Sequence, residues 1–543
     1  MQLATIDIVV IVLYAIGIFA LAQWVSRKKD GVRDSSDYFL ASKSLPWWAI
    51  GASLIAANIS AEQIVGMSGS GYAIGLAIAS YEWMAALTLL IVGKYFLPIF
   101  LANNITTMPQ FLEQRYGPSI RTLMAVFWIG LYIFVNLTSI IWLGSIAVTQ
   151  VAGIDQDVAL YALGAFALLY QIKGGLKAVA LTDIVQVTLL VLGGLLVSGL
   201  TLAEIGGERG ILGGFATLTE RAPDHFDMIL SPDSPFYKDL PGISVLVGGM
   251  WIANLSYWGF NQYIIQRALA AKSLAEAQKG VVFAAYIKLL MPVIVVLPGI
   301  AAVMLAPELS KADQAYPTMM RLLPPGILGL VFAALIAAIV ASTASKINSI
   351  ATIFTLDLYA KHSNRPTRIE DGDGATDRPL PVGTGGVDPA NERRLVLVGR
   401  IAATVSIVLA MITARPLLGN SDQAFQYIQE YTGFFTPGIV VIFLAGLFWK
   451  RATEAGALAA AIGSFVLSIA FKALLPEVPF LDRMLVVFLA TLVLAVVVSL
   501  ARPQAAERNL ITARGVSFAT PSSFNVASIG VVAILTALYV TWW

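Results

Sequence analysis

The chain has 543 residues, of which 58% are hydrophobic and 13% charged, with 35 Lys and Arg against 33 Asp and Glu. This balance lies outside the soluble range and places most of the chain in lipid, and a net charge of +2 offers no field for nucleic acid. With no cysteine and two histidines, the chain has no disulfide framework, no thiolate metal centre and little material for imidazole catalysis.

About 20 apolar residues cross a hydrocarbon core roughly 30 Å thick. In chain order such runs fall near 6–25, 45–70, 74–101, 120–150, 157–172, 181–204 and 243–264. The second half continues them near 281–306, 324–359, 395–415, 424–449, 453–473, 481–501 and 524–542. They predict an all-α polytopic membrane protein of about fourteen transmembrane helices. The stretch Ile6 to Ala22 lacks a preceding basic region and reads as a retained span rather than a secretory leader. Arg27, Lys28, Lys29, Arg33 and Lys43 open a basic side that later receives Lys173 and Lys177, then Arg267, Lys272 and Lys279. Lys450, Arg451, Arg502, Arg508 and Arg514 fall on the same side, which the positive-inside rule makes cytoplasmic. An even number of spans then puts both termini outside, together with the acidic connection 205–242. The connection 361–394, rich in Asp, Gly, Pro and Arg, has almost nothing to bury and is expected to be a flexible cytoplasmic linker.

No separate soluble domain is predicted, so function lies between the helices, where a polar side chain is costly unless it faces a cavity or a partner. The run from Ala56 to Gln63 interrupts an apolar span with Asn58, Ser60 and Glu62, and glycines follow at 66, 69 and 71. A broken helix whose freed carbonyls line a cavity accounts for it, as does polar glue between packed helices. Asn254, Tyr257, Trp258 and Asn261 stand at helical spacing on one face, amides beside flat rings. Such a face suits a sugar, whose hydroxyls need paired hydrogen bonds and whose C–H surface packs on an aromatic ring; an interfacial aromatic belt explains the rings but not the amides. Glu82 and Lys288 are ionisable groups about two turns inside their spans, where they either snorkel or face a cavity as acceptor and donor. Phe425 and Gln429 share a face at i, i+4 at the start of a span that also reads as an amphipathic opening turn. Ala337 to Ser345 brings small residues and hydroxyls to mid-membrane, suited to close packing or, with the carbonyls freed at Ala56 to Ile59, to a hard cation.

The stretches Ala52 to Gln63, Tyr257 to Tyr263 and Phe425 to Gly433 resemble the sodium:solute symporter family and, more narrowly, its bacterial sodium/galactose symporters. The likeness spans nearly the whole chain and departs mainly in the loops near 305–315 and 361–394. It implies a LeuT-type core of two five-helix inverted repeats, 45–204 and 243–449, joined by the external loop 205–242. One extra helix and a basic loop (1–44) precede this core, the second repeat carries the 361–394 loop, and three further helices (450–543) follow. It implies that Gln63, Glu82, Asn254, Asn261, Lys288 and Gln429 hydrogen-bond a hexose. It further implies that Tyr257 stacks beneath the ring as an inner gate held by Asn58 beside Trp258, and that Met67, Tyr81 and Phe425 close the outer side. The implied sodium ligands are the carbonyls of Ala56, Ile59 and Ala338 and the hydroxyl of Ser342, with Asp183 on the sodium exit path.

Two departures from the family pattern matter. Ala85 replaces a serine beside the sugar, leaving the preferred epimer open, and Ala341 replaces a second sodium-ligating serine. The latter predicts sodium binding that is weaker or completed by water. The expectation is therefore sodium-coupled symport of a hexose such as galactose or glucose by alternating access, in a bacterial inner membrane, with sodium, sugar and lipid as partners and a homodimer left open. Other neutral polar solutes, or a solute-gated sensor or channel, remain alternatives. An enzyme is not expected, since metal-ligand spacing, a nucleophile beside a base and a phosphate loop are all missing.

Overall fold

The structure, a computed structural model, describes residues 3–26, 45–105, 107–173, 176–359, 389–503 and 515–543. The linker expected at 361–394 falls outside them up to residue 388. The first half of the chain forms α1 (Thr5–Ser26), α2 (Trp47–Asn58), α3 (Glu62–Ala73), α4 (Leu76–Ala102), α5 (Pro118–Ala152), α6 (Gln156–Lys173) and α7 (Leu176–Gly206). The second half continues with α8 (Gly249–Leu255), α9 (Gln262–Leu269), α10 (Leu274–Leu305), α11 (Ile327–Ile353), α12 (Pro389–Leu418), α13 (Ala424–Thr432) and α14 (Thr436–Phe448). The chain closes with α15 (Glu454–Leu474), α16 (Phe480–Ala501) and α17 (Ser522–Thr541). Among the described residues nine helices are long and apolar enough to span a membrane, or up to eleven with two bent pairs counted as single spans.

Three of the expected spans are broken, and the breaks position everything that follows. α2 and α3 meet at 69°, where Ile59 adopts an extended backbone (φ −68°, ψ 116°). α8 passes through a π-helical turn, Ser256–Phe260, and stops at Asn261, again extended (φ −82°, ψ 122°), before α9. The expected regular face at 254–261 is thus interrupted by an irregular turn, and the span runs on to Leu269 instead of ending near 264. A third break, not foreseen from the sequence, bends α13 against α14 by 46° around Gly433 to Phe435. The external connection 205–242 is also more ordered than its acidic composition suggests, carrying the helix Gly210–Arg221.

In lipid no hydrophobic force drives helices together, so close packing through small residues and polar ties must do so. α10 lies along α2, α3 and α4. Its closest approach to α2 passes through Gly51 and Gly280: a Cβ on Gly51 would stand 2.8 Å from the Gly280 carbonyl, so a methyl group there would part the helices. Buried charges tie helix ends. Asp7 on α1 accepts from the Gly326 and Gly329 amides at 2.7 and 2.9 Å, capping the start of α11 with a negative charge. Arg115 donates to the carbonyls of Gly446, Trp449 and Ala452 at 3.0, 2.9 and 3.1 Å, satisfying the C-terminal end of α14.

Candidate functional site

Helix breaks expose backbone groups at membrane depth, and irregular backbone there must line a cavity or find a partner. The chain does both. Between the α2–α3 break, the π turn after α8, α10 and α13 lies a cavity with about 1060 Å³ of atom-free space including its mouth. Gln63, Glu82, Asn254, Asn261, Lys288 and Gln429 all reach its wall, drawn from five separate helical segments and the Asn261 break. So do Asn58, Tyr81, Tyr257, Trp258 and Phe425, and Ala85 contributes only a methyl group.

Glu82 and Lys288 do not snorkel. Lys288 Nζ donates to Glu82 Oε2 at 2.6 Å, and the two side chains are 1% and 4% exposed respectively. Asn58 Oδ1 also accepts from Lys288, Gln63 donates to Glu82, and Trp258 presents its ring 5.0 Å from the ammonium. Opposite charges thus neutralise each other while their remaining donors and acceptors stay directed at the cavity, which is the pattern expected for a polyhydroxyl, uncharged solute. Asn254 donates one amide N–H to the Met250 carbonyl at 3.1 Å, leaving its oxygen and its second N–H.

On one side of the cavity Asn58 Nδ2 donates to the Tyr257 hydroxyl at 3.0 Å, and the Tyr263 hydroxyl reaches the same oxygen at 2.9 Å. Tyr132 completes this layer with a 3.1 Å bond to Asn261 Oδ1. On the other side the rings of Tyr81 and Phe425 meet edge to face with centroids 5.2 Å apart, both buried. Met67 is off the cavity wall. It is fully buried, with its sulfur 3.9 Å from Gln63 Nε2. Outside the membrane-spanning segments, Asp313 packs over α3 and accepts from the Ala424 amide at 3.1 Å. Burial pushes its carboxyl up to about 7 against the opposing pull of that amide and of Lys311, with Asp422 adding to the rise.

A second, smaller cavity lies beside the end of α2. Ala56, Ala338 and Ser342 line it, as does Ala341 with a methyl group in place of a hydroxyl. Ser342 Oγ donates to the Ile339 carbonyl at 3.2 Å, which leaves its lone pairs available. Ile59 is buried at the helix break but off this wall. Carbonyls and a hydroxyl suit a hard cation such as sodium as cargo, and among the described residues no cluster of three His, Cys, Asp or Glu offers a transition-metal alternative. Asp183 belongs to α7, and its side chain lies outside the described residues.

Several groups on these walls are not among the site residues expected from the sequence. Glu62 and Tyr263 face the larger cavity, and Lys346 and Arg267 face the smaller one. Lys346 carries the same sequence mark as Lys288, an ammonium within an apolar span, and the rule that intramembrane charges indicate sites would have found it. Tyr263 and Tyr132 carry no such mark, because a tyrosine in a span reads equally as packing.

The sodium:solute symporter family model matches residues 38–371 and 387–463. A sodium/glucose cotransporter of Vibrio parahaemolyticus is 49% identical, the match covering 100% of this chain and 99% of that protein. Sodium/myo-inositol cotransporter 2 of Mus musculus is 33% identical over 85% of this chain and 69% of its own length. Among solved structures, an outward-open, substrate-bound sodium-coupled sialic acid symporter superposes with a TM-score of 0.73 at 21% identity, covering 92% of this chain and 99% of that one. At that identity the likeness speaks for the fold, a LeuT-type arrangement.

Proposed function

The chain belongs to the sodium:solute symporter family, and from that premise we propose that it carries a hexose such as galactose or glucose across the membrane together with sodium, by alternating access. It is a multi-pass protein of the cell membrane, for which a bacterial inner membrane is the natural reading. The observation that carries the sugar reading is the convergence of Gln63, Glu82, Asn254, Asn261, Lys288 and Gln429 on one cavity, where the two charged members of this set, Glu82 and Lys288, cancel as a pair. Carboxylate substrates gain nothing from such a wall, whereas a ring of hydroxyls can use each amide twice, as donor and as acceptor.

Sodium at the end of α2, held by the Ala56 and Ala338 carbonyls and Ser342 with Ile59 at the break, would fix the angle between α2 and α3. Gln63 on α3 then stands where a sugar can reach it. Each ligand biases the equilibrium only by its differential affinity for the two arrangements, and the coupling is reciprocal, so sodium tightens sugar and sugar tightens sodium. Tyr257 with Trp258, tied through Asn58, serves as the inner gate; Tyr81, Phe425 and, behind them, Met67 serve as the outer one. Asp183 on the sodium exit path completes the proposal, and the oligomeric state, open between monomer and homodimer, is read by mass photometry in detergent. The chemistry is carriage without covalent change, so no enzymatic role is proposed.

Proteoliposomes decide the matter. Radiolabelled galactose or glucose should accumulate down an imposed sodium gradient, and uptake indifferent to sodium would defeat the coupled reading. Gln429→Ala should abolish uptake of both sugars. A competition panel of hexose epimers and myo-inositol, the solute named for the mouse relative, reads the consequence of Ala85, and current without accumulation would favour a channel instead.

A further inference from the structure

The smaller cavity is lined by groups of two unlike kinds. One kind is the carbonyl end of α2, where terminal helical carbonyls lack intrahelical donors and the helix dipole is negative, with the Ser342 and Ser345 hydroxyls. These suit a small hard cation. The other kind is the pair of cations Lys346 and Arg267, and among the described residues no carboxylate lines this cavity.

Lys346 stands one helical turn beyond Ser342 on α11, so the two side chains share a face. It is 4% exposed and lies over the Tyr263 ring at 5.3 Å from the centroid. Its nearest counter-charge is Glu62 Oε2 at 3.8 Å, beyond direct hydrogen-bond distance and much looser than the 2.6 Å pair between Lys288 and Glu82. Glu62 is also engaged elsewhere: it accepts from the Ser139 hydroxyl and lines the larger cavity. The ammonium is therefore a positive charge on a flexible stem, with a shared acid on one side and the smaller cavity on the other.

We propose that Lys346 is a tethered cation that competes with sodium for the smaller cavity, and that Glu62 sets sodium affinity by drawing the ammonium away from it. This rests on the assignment of sodium to that cavity. A unit charge held within several ångströms of a bound ion, at the effective dielectric of a protein interior, weakens binding by about tenfold or more unless a counter-charge intervenes. Glu62 supplies that counter-charge through Lys346 and acts as a positioning residue.

The test is direct ²²Na⁺ binding to the purified full chain, without sugar, at constant ionic strength made up with choline. Lys346→Met, which keeps bulk and removes charge, should lower the half-saturating sodium concentration by about tenfold, while Lys346→Arg should stay close to the parent. Glu62→Gln should raise it several-fold, and this effect should vanish in the Lys346→Met background, which a merely structural role for Glu62 would not produce. Unchanged or weaker sodium binding in a Lys346→Met protein of normal thermal stability overturns the proposal; if that variant fails to fold, Lys346→Gln is read in its place. Sodium-indifferent sugar uptake by the parent chain would defeat the transport reading alone, since the binding isotherms judge the competition separately. A detectable isotherm only after removal of the Lys346 charge supports the proposal, and an isotherm in no variant overturns it.

Discussion

Removing one member of the Glu82–Lys288 pair leaves a charge with no counter-ion in a site where the side chains are 4% and 1% exposed. For buried pairs that loss is about 3–5 kcal/mol, and the adjoining cavity, which water can reach, argues for the lower end, about 3 kcal/mol. Expressed as an unfolding equilibrium this is roughly a hundredfold for Glu82→Gln or Lys288→Met alone. The double variant restores neutrality, because a methionine stem fills the space of the lysine stem and a glutamine can still exchange hydrogen bonds with Gln63. Its penalty should therefore fall short of the sum of the singles by about 2–3 kcal/mol. Equilibrium unfolding of all four proteins in detergent without sugar, run beside radiolabelled galactose binding in saturating sodium, closes the cycle. If each side chain acted only through its own hydrogen bonds to sugar, the two losses would add. Additivity within about 0.5 kcal/mol refutes the argument that the pair, rather than its members, shapes the cavity.

Other perturbations probe the gates and the ion site. Tyr257→Phe deletes the bonds to Asn58 and Tyr263, worth about 1–1.5 kcal/mol net, and should speed maleimide labelling of a cysteine placed by Ala85→Cys about tenfold from the cytoplasmic face. The chain has no native cysteine, so that reporter is unambiguous, and an unchanged labelling rate speaks against Tyr257 as a gate. Ala341→Ser returns a hydroxyl to the smaller cavity and should lower the sodium requirement of uptake about fivefold; no change there, together with no effect of Ser342→Ala, removes sodium from that cavity. Asp313 has its carboxyl raised from 3.8 to about 7, so the folded state binds a proton more tightly than the unfolded chain. Its contribution to stability is full below about pH 4 and is lost as pH rises to about 7. Melting temperatures measured across that window should fall with rising pH less steeply in Asp313→Asn than in the parent, and equal slopes would contradict the assignment.

Much of this architecture was legible in the residues themselves, because lipid admits only a narrow vocabulary. A backbone without water must close its own hydrogen bonds, so each apolar run has to be a helix, and each polar group within it has to face something. That logic located the spans, the interruption at Ala56 to Gln63 and the groups Glu82, Lys288, Asn254 and Tyr257. It could not show that Glu82 and Lys288 meet, since 206 residues separate them and only the packing of α10 against α4 brings the ammonium to the carboxylate. Nor could it show the bend between α13 and α14, where Gly433 and Pro437 permit a break but do not require one, or the π turn at Ser256–Phe260, which regular spacing conceals. Lys346 is the sharpest case. Its charge was plain in the sequence, but whether that charge faces sugar, sodium or an acid is a property of which helix lies opposite, and three-dimensional packing alone decided that it stands between Glu62 and the smaller cavity. One-dimensional patterns fix what must be buried in a membrane; which buried groups become partners depends on helix breaks and close approaches that cost little locally and are set by the whole bundle.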